Sequence, residues 1–88
     1  MPEVVIYATG GCPYCQRARR LLEKKGVQYT EIRVDLEPTR WAEMEARSGR
    51  GTVPQIFIGD HHVGGYDDTV ALDAEGGLDP LLGLSKTA

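Results

Sequence analysis

The only two cysteines of the chain, Cys12 and Cys15, stand at C-x-x-C spacing between a β-branched run and a helix-forming run. That placement limits the available folds more than any other feature. Residues 3–8, EVVIYA, read as a buried strand bounded by Gly10 and Gly11. Pro13 suits the first position of a helix, and Ala18, Leu21 and Leu22 supply its apolar stripe. Lys24 and Lys25 suit the last turn, and Gly26 is a natural stop. Cys12 is therefore expected at the N-cap, with Cys15 one turn inside the helix.

Further along, residues 27–34, VQYTEIRV, read as a strand with imperfect alternation. A second helix begins near Pro38, carries Trp41 and Met44 on one side and ends at Ser48 and Gly49. The strand QIFI, the turn at Gly59 and Asp60, and HHV make an antiparallel hairpin ending at Gly64 and Gly65. A third helix follows, capped by Asp67 or Asp68, with Val70, Ala71 and Ala74 facing inward. It stops at Gly76 and Gly77, ahead of a short turn from Asp79 and Pro80. A right-handed crossover makes the first two strands parallel, and the hairpin completes a four-stranded mixed sheet flanked by helices. The expected architecture is α/β with a thioredoxin-like plan, one domain over residues 1–88. A chain of 88 residues buries only about 60–65% of its unfolded surface, which leaves no room for a second core.

The formal net charge of −3 offers no overall basic excess for nucleic acid. The first residues lack the basic and apolar regions of a secretory signal, and no apolar run approaches a membrane span, so a cytoplasmic location is expected. In such a setting two cysteines at this spacing point to catalysis or metal binding rather than a structural bridge. A closed zinc site needs about four ligands, and beyond the cysteines only His61 and His62 are on offer. Neighbours on a strand point to opposite faces, so both are expected as surface histidines and no metal is expected. Arg17, Arg19 and Arg20 point to different sides of the first helix and are expected to be solvated.

Redox chemistry fits the pair. An N-cap residue faces unpaired backbone N–H groups and the positive end of the helix dipole, both of which favour a thiolate. Thiols so placed ionise at pKa values lowered from about 8.5 into a range of ~3.5 to 7.5, which makes Cys12 the expected nucleophile. Cys15 lies on the same helix face within disulfide reach and should be more buried, with the higher pKa of the two. It is expected to resolve what Cys12 starts.

CPYC at residues 12–15, TVPQIFI at 52–58 and GGYDD at 64–68 together resemble the dithiol glutaredoxins, and the similarity covers nearly the whole chain. RSGR at 47–50 and DAEGGLDPLL at 73–82 are similar to the small bacterial class. The resemblance implies a glutathione-dependent thiol-disulfide oxidoreductase acting on protein–glutathione mixed disulfides and protein disulfides, with glutathione as cosubstrate; a monomer is the default expectation for the oligomeric state. It implies catalytic roles for Cys12, Pro13, Tyr14 and Cys15. It places glutathione against Thr52, Val53 and a cis Pro54, and against Gly65, Tyr66, Asp67 and Asp68 at a helix N-terminus. The alternative for Pro54 is that it begins an edge strand. Thr9, Trp41 and Gly51 depart from basic or polar residues common in the family, and Arg40 and Arg50 are the candidate replacements. Those departures keep a redoxin reduced by thioredoxin reductase as the alternative, with an iron-sulfur carrier as the lesser one.

Overall fold

A computed structural model describes residues 2–84. In chain order the elements are β1 (Val4–Ala8), α1 (Pro13–Lys24), β2 (Thr30–Arg33), α2 (Pro38–Ser48), β3 (Gln55–Ile58), β4 (His61–Gly64), α3 (Tyr66–Ala74) and α4 (Leu78–Leu81). The four strands form one sheet in the order β2-β1-β3-β4. β1 and β2 are parallel, while β1–β3 and β3–β4 are antiparallel. This is the thioredoxin-like fold.

β1 is buried at every residue because both faces of the sheet are covered, which is why its sequence is an unbroken apolar run. Ile6 and Ala8 on β1 and Ile56 and Ile58 on β3 pack against Cys15, Ala18 and Leu22 of α1 and Leu78 of α4. On the other face Val5, Tyr7 and Phe57 meet Val34 and Met44, with Trp41 half-buried beside them. Tyr7 is fully buried, and its hydroxyl is satisfied on both sides: it donates to Glu43 Oε2 at 2.6 Å and accepts from Arg47 Nη1 at 2.8 Å. Burial and the Glu43 carboxylate push the Tyr7 phenol above its ordinary pKa.

The far ends of the helices are joined by a cation. Lys25, the C-cap of α1, places Nζ 2.7 Å from Asp73 in the last turn of α3 and 2.8 Å from Asp79 in α4. These carboxylates, Asp73 first, raise the Lys25 pKa. Gly26 then takes φ of 74°, the left-handed conformation that ends a helix most easily when there is no Cβ.

Several expectations need correction. β2 pairs only over Thr30–Arg33; residues 27–29 approach as coil, although Val27 is buried against the core. Val70, Ala71 and Ala74 of α3 are exposed rather than inward. The inward positions are Thr69, fully buried, and Leu72, half-buried; the Thr69 hydroxyl can lie there because it donates to the Gly65 carbonyl at 2.8 Å. The N-cap of α3 is Gly65, with Asp68 reaching back from the third helical position to its N–H at 2.9 Å. β3 lies inside the sheet, so Pro54 does not open an edge strand. His61 is exposed as expected, but His62 is half-buried: its ring stacks on Phe57 at 4.8 Å and Nε2 meets Gln55 Oε1 at 2.7 Å.

Candidate active site

The C-terminal end of β1 delivers the chain through Thr9–Gly11 to Cys12, whose extended backbone makes it the N-cap of α1. The orphan N–H of Cys15 donates to Cys12 Sγ at 3.3 Å, so the first turn of the helix is capped by sulfur rather than oxygen. Across the site the Cys12 thiol points at the Val53 carbonyl oxygen, 3.9 Å away. Cys12 is half-buried, while Cys15 is fully buried among β1 and α1 side chains. Burial first, and then the Cys12 sulfur, push the Cys15 thiol up to about 11.

The structure assembles the remaining sequence candidates around one shallow groove, lined by Tyr14, by Thr52, Val53 and Pro54, and by Gly65, Tyr66, Asp67 and Asp68. The Val53–Pro54 peptide is cis. Tyr14 is exposed, its ring 6.3 Å from that of Tyr66 and covered by the Arg17 guanidinium at 5.2 Å. Pro13 holds the first helical position, where its missing N–H costs nothing. Gly65 starts α3, so the N–H groups of Tyr66 and Asp67 face the groove end of that helix, where an anion is stabilised. A larger hollow opens at the opposite end of β1, between Glu3, Gly26 and Tyr29, but neither cysteine reaches it.

The candidate basic replacements are already engaged. Arg50 Nη1 lies 2.7 Å from Asp68 Oδ2, and Arg40 bonds Glu37 at 3.3 Å and Glu43 at 2.9 Å. With the Gly65 N–H as a second partner, Arg50 holds the Asp68 carboxyl below the ordinary carboxylate pKa. Among the described residues no group of three or more His, Cys, Asp or Glu side chains converges as a metal site.

Two contributors were not singled out from the sequence. Asp35, held bidentately by Arg33 at 2.9 and 2.7 Å, accepts the Gly10 N–H at 3.1 Å and so anchors the loop that carries Cys12. Arg33, and after it the Gly10 N–H, hold the Asp35 carboxyl well below the usual range. The R-x-D spacing on a strand end was the available signal. Gln55, buried in β3, grips Thr52 at the groove wall, and only its position after a motif proline marked it.

A family model described as Glutaredoxin matches residues 4–63. The chain belongs to the glutaredoxin family. It is 56% identical to Glutaredoxin 3 of Escherichia coli (strain K12) over 82 residues, which cover 93% of this chain and 99% of that protein. A Glutaredoxin of Pseudomonas aeruginosa is 55% identical over 82 residues, 93% of this chain and 98% of that one. Among solved structures, a glutaredoxin from Brucella melitensis superposes with a TM-score of 0.84 at 53% identity, covering 100% of this chain and 96% of that one. A buckwheat glutaredoxin–glutathione complex superposes at 0.86 with 32% identity, covering 93% and 77%. Glutaredoxins are thiol oxidoreductases, and no helix among the described residues of this one is long and apolar enough to cross a membrane.

The depth of Cys15 gives a measurable pH dependence. Its thiol stays protonated until the pH nears about 11, so iodoacetamide should modify only Cys12 at neutral pH, with Cys15 following as the solution becomes strongly alkaline. An unfolded cysteine loses its proton sooner, near about 8.5. Between the two values the unfolded chain binds fewer protons than the folded one, so this group's share of stability is intact below the unfolded pKa and falls as pH rises toward the folded one. Mass spectrometry of the alkylated peptide checks the first expectation, and denaturation midpoints across that alkaline window check the second. Equal labelling of both cysteines at neutral pH would contradict the burial of Cys15.

Proposed function

We propose that this glutaredoxin is a glutathione-dependent thiol-disulfide oxidoreductase that reduces protein–glutathione mixed disulfides and protein disulfides through Cys12 and Cys15. The observation that carries the reading is the placement of Cys12 Sγ at the N-cap of α1, facing the Val53 carbonyl at the rim of the groove. An attacking thiolate needs stabilisation and access, and this position offers a backbone donor with partial exposure.

With a mixed disulfide, the Cys12 thiolate attacks the glutathione sulfur. The old S–S bond breaks, the protein thiolate leaves and takes a proton from water, and a Cys12–glutathione disulfide remains. The thiolate of a second glutathione attacks the glutathione sulfur of that bond, freeing Cys12 and giving oxidised glutathione. With a protein disulfide, Cys12 attacks one substrate sulfur and expels the other as a thiolate. Cys15 then loses its proton and attacks the Cys12 sulfur, which releases the reduced substrate and leaves a Cys12–Cys15 bridge for glutathione to reduce.

In this reading glutathione lies extended along Val53 in strand-like fashion, beside Thr52 and Pro54. Its γ-glutamyl carboxylate meets the Tyr66 and Asp67 N–H groups beyond Gly65. Asp68 is engaged by Gly65 and Arg50, so the exposed carboxylate of Asp67 takes the ammonium group. Tyr14 forms the facing wall, and Pro13 spaces the cysteines. The protein acts in this scheme as a single-domain cytoplasmic monomer.

The ion pairs of Arg40 and Arg50 favour weaker glutathione binding than a free guanidinium would give, and they support the second reading, reduction by thioredoxin reductase. One assay separates them. The oxidised protein is offered NADPH with either glutathione and glutathione reductase, or thioredoxin reductase alone. Turnover with the glutathione system is expected; turnover only with thioredoxin reductase would replace the first reading with the second.

A further inference from the structure

A peptide plane points its C=O and N–H in opposite directions, so fixing one aims the other. The plane joining Thr52 and Val53 is fixed in this way. Gln55 is 1% exposed, and its Nε2 donates to the Thr52 carbonyl oxygen at 3.1 Å and to Thr52 Oγ1 at 3.2 Å. With the carbonyl drawn toward Gln55, the Val53 N–H is turned the other way. Among the described residues that N–H has no acceptor. A donor without a partner beside a ligand groove is available to the ligand.

Gln55 is itself held against flipping. Because its Nε2 faces Thr52, its Oε1 is left for His62, whose Nε2–H donates to it at 2.7 Å. The His62 ring is kept in place by stacking on Phe57 at 4.8 Å. Burial, with Arg50 nearby, lowers the His62 pKa and so favours the neutral ring. The relay therefore runs from β4 through β3 to the groove wall, with each hydrogen bond dictating the polarity of the next.

We propose that Gln55, oriented by His62, is the positioning residue that aims the Val53 N–H into the groove, where it donates to a backbone carbonyl of bound glutathione. This rests on the glutathione reading above. Gln55 does not touch the reacting sulfurs. Its effect should therefore appear in the dependence on the glutathionylated substrate and not in the intrinsic reactivity of Cys12.

The test is steady-state reduction of a glutathionylated peptide across peptide concentrations at fixed glutathione, together with amide hydrogen exchange at Val53 in the Cys12–glutathione adduct and alkylation of Cys12 by iodoacetamide at neutral pH. Gln55→Met keeps the length of the side chain and removes the donor. It should raise KM for the glutathionylated peptide by ~3- to 10-fold, the range one neutral hydrogen bond supports, speed Val53 exchange in that adduct and leave Cys12 alkylation at the wild-type rate. His62→Phe, which keeps an aromatic ring on Phe57 and removes the ring nitrogens, tests the relay without opening the core and should move KM and exchange in the same direction by a smaller factor. The double variant should match Gln55→Met, because His62 then has nothing left to orient. An unchanged KM in both single variants, or effects of the two that simply multiply, would overturn the inference. A wild type that does not reduce the glutathionylated peptide with glutathione as reductant would instead fail the functional reading, and this inference with it, before any variant is compared.

Discussion

Cys12→Ser should lose turnover toward mixed disulfides and protein disulfides alike, by at least ~10⁴-fold, the order that removing a nucleophile costs in other covalent enzymes. Cys15→Ser should keep removal of glutathione from a mixed disulfide and lose the dithiol route to protein disulfides. The contrast follows from the two positions. Cys12 is half-exposed at a helix N-cap beside the groove, whereas Cys15 is sealed in the core with its thiol pushed up to about 11. A buried protonated thiol cannot open an external disulfide, but it stands one helical turn from the sulfur it must attack. Rates with a glutathionylated peptide and with a protein disulfide, measured on both variants, check this. Equal losses in both assays for both variants would contradict the division of labour.

Gly64→Ala should be the most damaging single methyl group near the groove. Gly64 has φ of 116°, and a Cβ there would lie 2.9 Å from Asp68 Cβ. The contact includes Asp68 Cβ, which no rotamer change moves, so the start of α3 has to shift, which breaks the bonds of Asp68 to the Gly65 N–H and to Arg50. Backbone strain and the lost cap together should cost about 2–4 kcal/mol. For a domain of this size each kcal/mol lowers Tm by about 4–8 °C, so a fall of more than ~8 °C is expected in a thermal scan. KM for a glutathionylated peptide should rise as well, because α3 loses the residue that fixes its first turn at the groove. Gly59→Ala is the control: φ is 59° there, but no atom lies within 4 Å of the added methyl, so only the left-handed backbone cost of about 1 kcal/mol applies. Equal destabilisation by the two would mean that Asp68 is not the cause.

The parts of the fold that were legible from the chain are those with local punctuation. Pro13 and Gly26 bracket α1, Pro38 and Gly49 bracket α2, and the unbroken apolar β1 marks a strand covered on both faces. The groove-lining positions came from the resemblance of TVPQIFI and GGYDD to family motifs, and the folded chain gathers those residues around one hollow. The interior face of α3 was not. Apolar residues normally mark the inward side, but Thr69 takes that place by bonding its hydroxyl to the Gly65 carbonyl, and Val70 faces solvent. The shortened β2 was illegible for a similar reason, because Val27 is buried without pairing in the sheet. Asp35 and Gln55 gain their roles only from partners that the folded chain brings beside them: Gly10 is 25 positions away from Asp35, and the amide of Gln55 is turned by a histidine on the next strand.

The Lys25 bridge gives the site a mechanical property. α1 and α3 both start at the groove, at Cys12 and Gly65, and their opposite ends are pinned together through Lys25 and Asp73. The pair behaves like the legs of a compass hinged at one ammonium group, each leg about 14–18 Å long at the standard helical rise. A small opening at the hinge would be magnified at the tips, so the Lys25–Asp73 contact bears on the spacing between Cys12 and the start of α3 from the far side of the molecule.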